Sequence, residues 1–278
     1  VLLLAALAML AFAGNSLLCR LALRSASMDA ASFTSVRLVS GALVLALIVR
    51  IRSGKCSRHG DWPSAWALFV YAAGFSYAYL QLSAATGALL LFGAVQLSMI
   101  AVGLWRGERL QALQWLGLAA ACSGLVVMLL PGLAAPPLLG SLEMVCAGVA
   151  WGAYSLLGRG KGDAKAVTAG NFWRAALLAL VLSGLTLASA HATPAGLGLA
   201  MASGAVASGL GYSIWYTALR SLSAATAASI QLTVPALAAL GAVVLLGEAL
   251  TVRVVLASLV ILGGVALVIW AKARSAAP

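Results

Sequence analysis

At 278 residues, with 63% hydrophobic and 8% charged residues, the chain lies far from the roughly half-apolar, quarter-charged balance of a soluble globular domain. Its net charge of +11 arises from 17 Lys and Arg residues scattered over short loops, so it does not form the basic face that nucleic acid requires. Of the four cysteines, Cys19, Cys122 and Cys146 sit in apolar runs and Cys56 in a basic loop, a spacing that implies neither a disulfide framework nor a zinc site.

A helix needs about 20 residues to cross the hydrocarbon core of a bilayer. The apolar runs between charged or Pro/Gly-rich breaks predict ten such helices: 1–22, 31–50, 64–82, 85–105, 110–130, 139–158, 167–188, 195–219, 225–246 and 250–271. The first run, with its small residues near Ala13-Gly14, has the outline of a signal peptide. However, Ser16-Leu17-Leu18-Cys19-Arg20 recurs as Ser155-Leu156-Leu157-Gly158-Arg159, so the run is expected to be a retained structural helix. The fourth helix is entered through Ser83-Ala84-Ala85-Thr86 and left at Gly107-Glu108; the ninth is entered through Ser223-Ala224-Ala225-Thr226 and left at Gly247-Glu248. Both correspondences share an offset of 140, and 83–130 aligns on 223–270 without a gap, identical at 11 of 48 positions. That marks an internal duplication.

An uncharged linker over 131–138, beginning Pro131-Gly132, separates the copies, with the first five-helix repeat at 1–130 and the second at 139–278. An odd number of spans per copy makes the second enter the membrane from the opposite side. The expected fold is therefore an all-α membrane protein of ten transmembrane helices in two inverted five-helix repeats. The charges agree with this. With the loop after the second helix inside, Arg50, Arg52, Lys55, Arg58, Arg106, Arg109, Arg159, Lys161, Lys165, Arg220, Lys272 and Arg274 are cytoplasmic, against Arg20, Arg24 and Arg253 outside. Such a bias is expected of cytoplasmic loops and puts both termini in the cytoplasm, with a bacterial inner membrane as the expected location.

Ten helices, a small-residue turn into the fourth and ninth, Gly-Glu closing each, Arg37, Arg174 and Pro235 together resemble the EamA-type members of the drug/metabolite transporter superfamily. The resemblance covers nearly the whole chain. It implies a transporter of small organic solutes, often an exporter of amino acids or related metabolites, with a central cavity bounded by helices of both halves. The halves differ at one mark of the pattern, since Val95 stands where the second copy has Pro235.

Polar groups inside spans are the default candidates for a pathway, because hydrocarbon penalises them unless they are paired or wetted. Candidate substrate-binding residues are Asn15, Gln96, Tyr154 and Gln231, with the aromatics Tyr77, Tyr79, Trp151, Tyr212 and Trp215. The amides of Gln96 and Gln231 suit either a zwitterion or an interhelical hydrogen bond. The rings suit either a cavity wall or packing. Pro235 frees a carbonyl one turn earlier, near Gln231, which makes it a candidate gating point. Glu143 is a candidate for proton coupling or, alternatively, a residue at the outer interface. Arg37 and Arg174 read as snorkelling or helix-capping cations, Trp62, Trp66 and Trp270 as an interfacial belt. Gly117, Gly124 and Gly263-Gly264 suit either a homodimer interface or internal packing.

No phosphate-binding Gly-rich loop, His-Glu-x-x-His, Gly-x-Ser-x-Gly or intramembrane Asp pair is present. No enzyme activity, cofactor or metal is expected; His59 and His191 fall in loops on opposite sides. The sequence supports a secondary transporter or facilitator, exporting small neutral or zwitterionic metabolites such as amino acids by alternating access. Alternatives are efflux of amphipathic drug-like compounds and a non-transporting lipid flippase subunit or membrane partner.

Overall fold

The computed structural model describes residues 1–53, 59–107, 109–130, 135–158, 162–222, 227 and 230–275. The Ser223–Thr226 string, Glu108, Pro131 to Ala134 of the linker, Lys55, Cys56, Arg58, Arg159 and Lys161 lie outside the described residues. Among the described residues the protein is all-helical: α1 (Leu2–Arg24), α2 (Ala30–Ser53), α3 (Trp62–Ala78), α4 (Ala84–Trp105), α5 (Ala112–Leu129), α6 (Leu138–Leu157), α7 (Ala164–Leu185), α8 (Pro194–Leu219), α9 (Thr233–Leu246) and α10 (Val252–Ser275). Seven of these are long and apolar enough to cross a bilayer.

Local chemistry explains the boundaries, and with them the two repeated strings. Ser83 is the N-cap of α4, its hydroxyl accepting from the Thr86 amide at 3.2 Å, which satisfies one of the donors a helix start leaves open. Gly107 (φ 89°) and Gly247 (φ 63°) end α4 and α9 in the left-handed region, where a Cβ is strained. Asp61 caps α3 and Thr193 caps α8, each followed by proline in the first turn, where the missing N–H costs nothing.

The packing reproduces the duplication. α3 lies on α6 as α8 lies on α1, α4 on α6 as α9 on α1, and α3 on α7 as α8 on α2; α2 with α7, α4 with α9 and α5 with α10 are self-related pairs. Exchanging each helix for the one five places along maps these pairs onto one another or onto themselves, the pattern of two inverted halves about a pseudo-twofold axis.

Without a hydrophobic drive between helices in lipid, close approach depends on small residues. A Cβ on Gly117 would stand 2.6 Å from the Gly264 carbonyl oxygen, and one on Gly264 would stand 2.5 Å from that of Gly117. Gly124 meets Ile261. These glycines are used inside the chain, between α5 and α10, while Gly263 faces open space. The outward faces carry Leu, Val and Trp, including Trp62, Trp66 and Trp270 at helix ends, as a lipid-facing surface with an aromatic belt requires.

Candidate functional site

A cavity lies between the two halves. α1 contributes Phe12, Asn15 and Ser16; α3 contributes Tyr71 and Phe75; α4 contributes Leu91 and Phe92. From the second half come Trp151 of α6, Ala207 and Tyr212 of α8, and Gln231 just before α9. Its rings are in mutual contact: Tyr71 to Trp151 at 4.8 Å, Trp151 to Tyr212 at 5.2 Å, and Phe12 edge-on to Tyr212 at 5.6 Å. The open volume is about 20 Å³, room for about one water molecule. The site is therefore contracted, and a metabolite enters only if the rings move apart.

Of the sequence candidates, Asn15, Trp151, Tyr212 and Gln231 line this cavity. Asn15 Oδ1 accepts from the Ser203 hydroxyl at 2.6 Å, linking α1 to α8. The others are placed elsewhere. Tyr79 is wholly buried against Phe75, its hydroxyl donating to the Ala84 carbonyl at 3.4 Å, so it locks α3 to the start of α4. Tyr154 and Trp215 stand behind the lining, beside Trp151 and Phe12 respectively. Gln96 is buried in α4 outside the lining. Tyr77 and Glu143 are also outside it. Glu143 is half-buried in α6, one carboxylate oxygen shielded from solvent without a hydrogen bond.

Pro235 differs from its sequence reading. Helical geometry breaks at Leu232, and α9 begins at Thr233, so the proline falls in a first turn where its lacking N–H has no intrahelical role. Thr233 Oγ1 donates to the Ile230 carbonyl at 2.7 Å, satisfying one acceptor at the break. Gln231 sits at the discontinuity itself, one residue before Leu232.

Arg37 is the principal surprise. The snorkelling and capping readings fit Arg174, which donates to the His59 and Gly170 carbonyls at 3.1 and 2.9 Å. They do not fit Arg37, which is 1% exposed in the middle of the bundle. Its guanidinium carbon lies 5.1 Å from the Tyr71 ring centre and 4.8 Å from that of Phe75, both cavity-lining rings. Nη2 donates to the Tyr71 hydroxyl at 2.9 Å and Nε to Ser208 Oγ at 3.3 Å, while Nη1 is buried with no hydrogen bond. Among the described residues no carboxylate lies within salt-bridge range of it. Burying an ion costs several kcal/mol after relaxation; two desolvated ring faces return about 2 kcal/mol or more each, and the phenol bond a further 1.5–3 kcal/mol or so.

Ser208 belongs to a stretch of α8, Ala202–Leu210, wound as a π-helix. Such stretches are frequent at functional sites. Here the wider winding carries Gly204 against the Arg37 carbonyl and Ser40, contacts that leave no room for a Cβ. Sequence reasoning missed this segment, together with Tyr71, Phe75, Phe12 and Phe92. The available signal was Arg37 itself, an ionisable group inside an apolar run.

One end of the bundle is tied by Glu248. Oε1 accepts from Arg20 Nε at 2.8 Å and Oε2 from the Ala84 amide at 2.8 Å, and Arg20 Nη1 also reaches the Tyr79 carbonyl at 2.9 Å. The end of α1, the turn after α3, the start of α4 and the end of α9 meet there. Nearby loops are joined through Asp29, which accepts from the Ser32 and His191 amides at 2.9 and 3.0 Å. Partial burial opposes its ionisation, but those amide bonds prevail and hold the carboxyl below its ordinary range.

Fold and site thus define a polytopic membrane protein of two inverted repeats closed around an aromatic cavity. The EamA-like transporter family model matches residues 1–130 and again 138–270, and the chain belongs to that family. An uncharacterized Pseudomonas aeruginosa protein, PA1977, is 54% identical over 277 residues, covering 99% of this chain and 96% of its own length. A solved crystal structure at 21% identity has the same fold, with a TM-score of 0.66 over 96% of this chain and 99% of the other. The protein is an integral membrane transporter of small molecules, and its family is one of transporters, not enzymes.

Proposed function

We propose that the protein is a secondary transporter that exports small neutral or zwitterionic organic metabolites, such as amino acids, by alternating access. The observation that carries this reading is the meeting of Asn15 and Gln231 with the Trp151 and Tyr212 rings in a cavity walled by both halves. Amides serve as donors and acceptors for a zwitterion, and rings cover an apolar body. In this reading 1–130 and 139–278 rock about the cavity, and the helix break beside Gln231, with Pro235 just after it, is the gating point. Loop charge supports an inner-membrane orientation with both termini cytoplasmic. The test is flux in proteoliposomes, comparing amino acids with a hydrophobic cation. Saturable movement of amino acids supports the proposal. The aromatic wall also favours a second reading, efflux of amphipathic compounds, which saturable movement of the cation alone would support. Movement of neither class refutes both.

A further inference from the structure

Beside the central cavity, against the lining rings Tyr71 and Phe75, lies a positive charge, Arg37, that no described carboxylate neutralises. Arginine remains protonated when buried, so Arg37 does not escape the burial penalty by losing its proton. Of the described carboxylates, Glu248 is engaged by Arg20, Asp29 by the Ser32 and His191 amides, and Asp61 and Asp163 cap helices. Glu143 makes no ion pair. What faces the guanidinium instead is Tyr71 and Phe75, two rings that also line the cavity, and Ser208, next to the lining residue Ala207. Among the described residues Nη1 has no hydrogen-bond partner.

From this we infer that Arg37 anchors a carboxylate carried by the cargo, so that the transported class is organic carboxylates, zwitterions included, with an aromatic or large apolar body. A planar fork of N–H donors matches two carboxylate oxygens. One cation among aromatic walls neutralises one negative charge, which favours a monoanionic group over a phosphate dianion. The body of the cargo lies against Trp151 and Tyr212, and its remaining polar groups meet Asn15 and Gln231. When the contracted site opens, the Tyr71 and Phe75 rings that now stabilise the cation give way to the carboxylate. A lipophilic cation is repelled by the same charge. The inference rests on the transport reading and narrows it.

The experiment uses the full chain in proteoliposomes with four probes sharing one body: phenylalanine, phenylacetate, phenylalaninamide and a phenyl-bearing phosphonium cation. The expected result is saturable movement of one or both carboxylates, with the amide and the phosphonium at least tenfold weaker. Arg37→Gln is expected to remove the preference for carboxylate over amide, and Arg37→Lys to retain part of it. The comparison among probes on the unaltered protein needs no variant to fold. Equal movement of the acid and amide forms, or movement of the cation alone, overturns the inference and leaves the transport reading standing. Movement of none of the four overturns both.

Discussion

Glu248→Ala removes the acceptor on which four segments converge. Its two oxygens take bonds of 2.8 Å each from the Arg20 guanidinium and the Ala84 amide, in a side chain 9% exposed beside an Arg20 side chain 14% exposed. Hydrogen bonds to charged groups contribute about 1.5–3 kcal/mol each. Arg20 retains the Tyr79 carbonyl after the substitution, and water at the membrane surface recovers part of the remainder. A net loss of about 2–4 kcal/mol is therefore expected, below the sum of the two bonds. Glu248→Gln keeps one oxygen acceptor and turns an amide N–H₂ toward a donor, for a loss of about 1–2 kcal/mol. Reversible unfolding in mixed detergent micelles measures both, and a double-mutant cycle with Arg20→Gln isolates the pair, with an expected coupling of about 1–2 kcal/mol. A loss under about 0.5 kcal/mol for Glu248→Ala, or coupling indistinguishable from zero, refutes the reasoning and reduces the cluster to a solvated surface pair.

Gly117→Leu is expected to push α10 off α5 and lower stability by about 2 kcal/mol or more, whereas Gly263→Ala, whose Cβ meets nothing within 4 Å, is neutral or stabilising by about 0.5–1 kcal/mol; the same unfolding assay ranks them. Asp29 has a folded-state pKa below its unfolded value, so its contribution is complete above the unfolded pKa of about 4 and is lost as pH falls through the folded value. Melting temperature measured from pH 7 to pH 3 is thus expected to fall less steeply for Asp29→Asn than for the unaltered protein; parallel curves would contradict this. Gln231→Ala is expected to weaken cargo affinity several-fold and Gln96→Ala to leave it unchanged, since only the first lines the cavity. The reverse order in a binding titration would relocate the site.

The helices, their number and the duplication were legible because they depend on local signals. Apolar run length predicted where the chain spans, and the strings at offset 140 proved to be helix-boundary chemistry: the first copy shows the Ser83 cap, and both copies show the closing glycine. The site was legible only in part. Asn15, Trp151, Tyr212 and Gln231 reach the cavity, whereas Tyr77, Tyr79, Gln96, Tyr154 and Trp215 do not. An amphipathic soluble helix displays its buried face as a periodic stripe, but a membrane helix is apolar on every side. α3 illustrates the consequence: Tyr71 and Phe75 line the cavity, Tyr79 locks a helix junction and Tyr77 lies outside the lining, although all four share one apolar run.

By itself, the sequence determined that the chain lives in a bilayer, that it folds as ten helices in two inverted copies, and which glycines and caps end those helices. These follow from backbone satisfaction and transfer of apolar groups, which act residue by residue. Only the tertiary structure decided that Arg37 is buried inside the bundle with no described carboxylate in salt-bridge range, that Gly117 and Gly264 serve internal packing, and that Glu248 ties one end closed. Those outcomes depend on which face of each helix meets which neighbour. In lipid that choice is made by shape and by a few polar contacts between residues as far apart in the chain as Arg20 and Glu248.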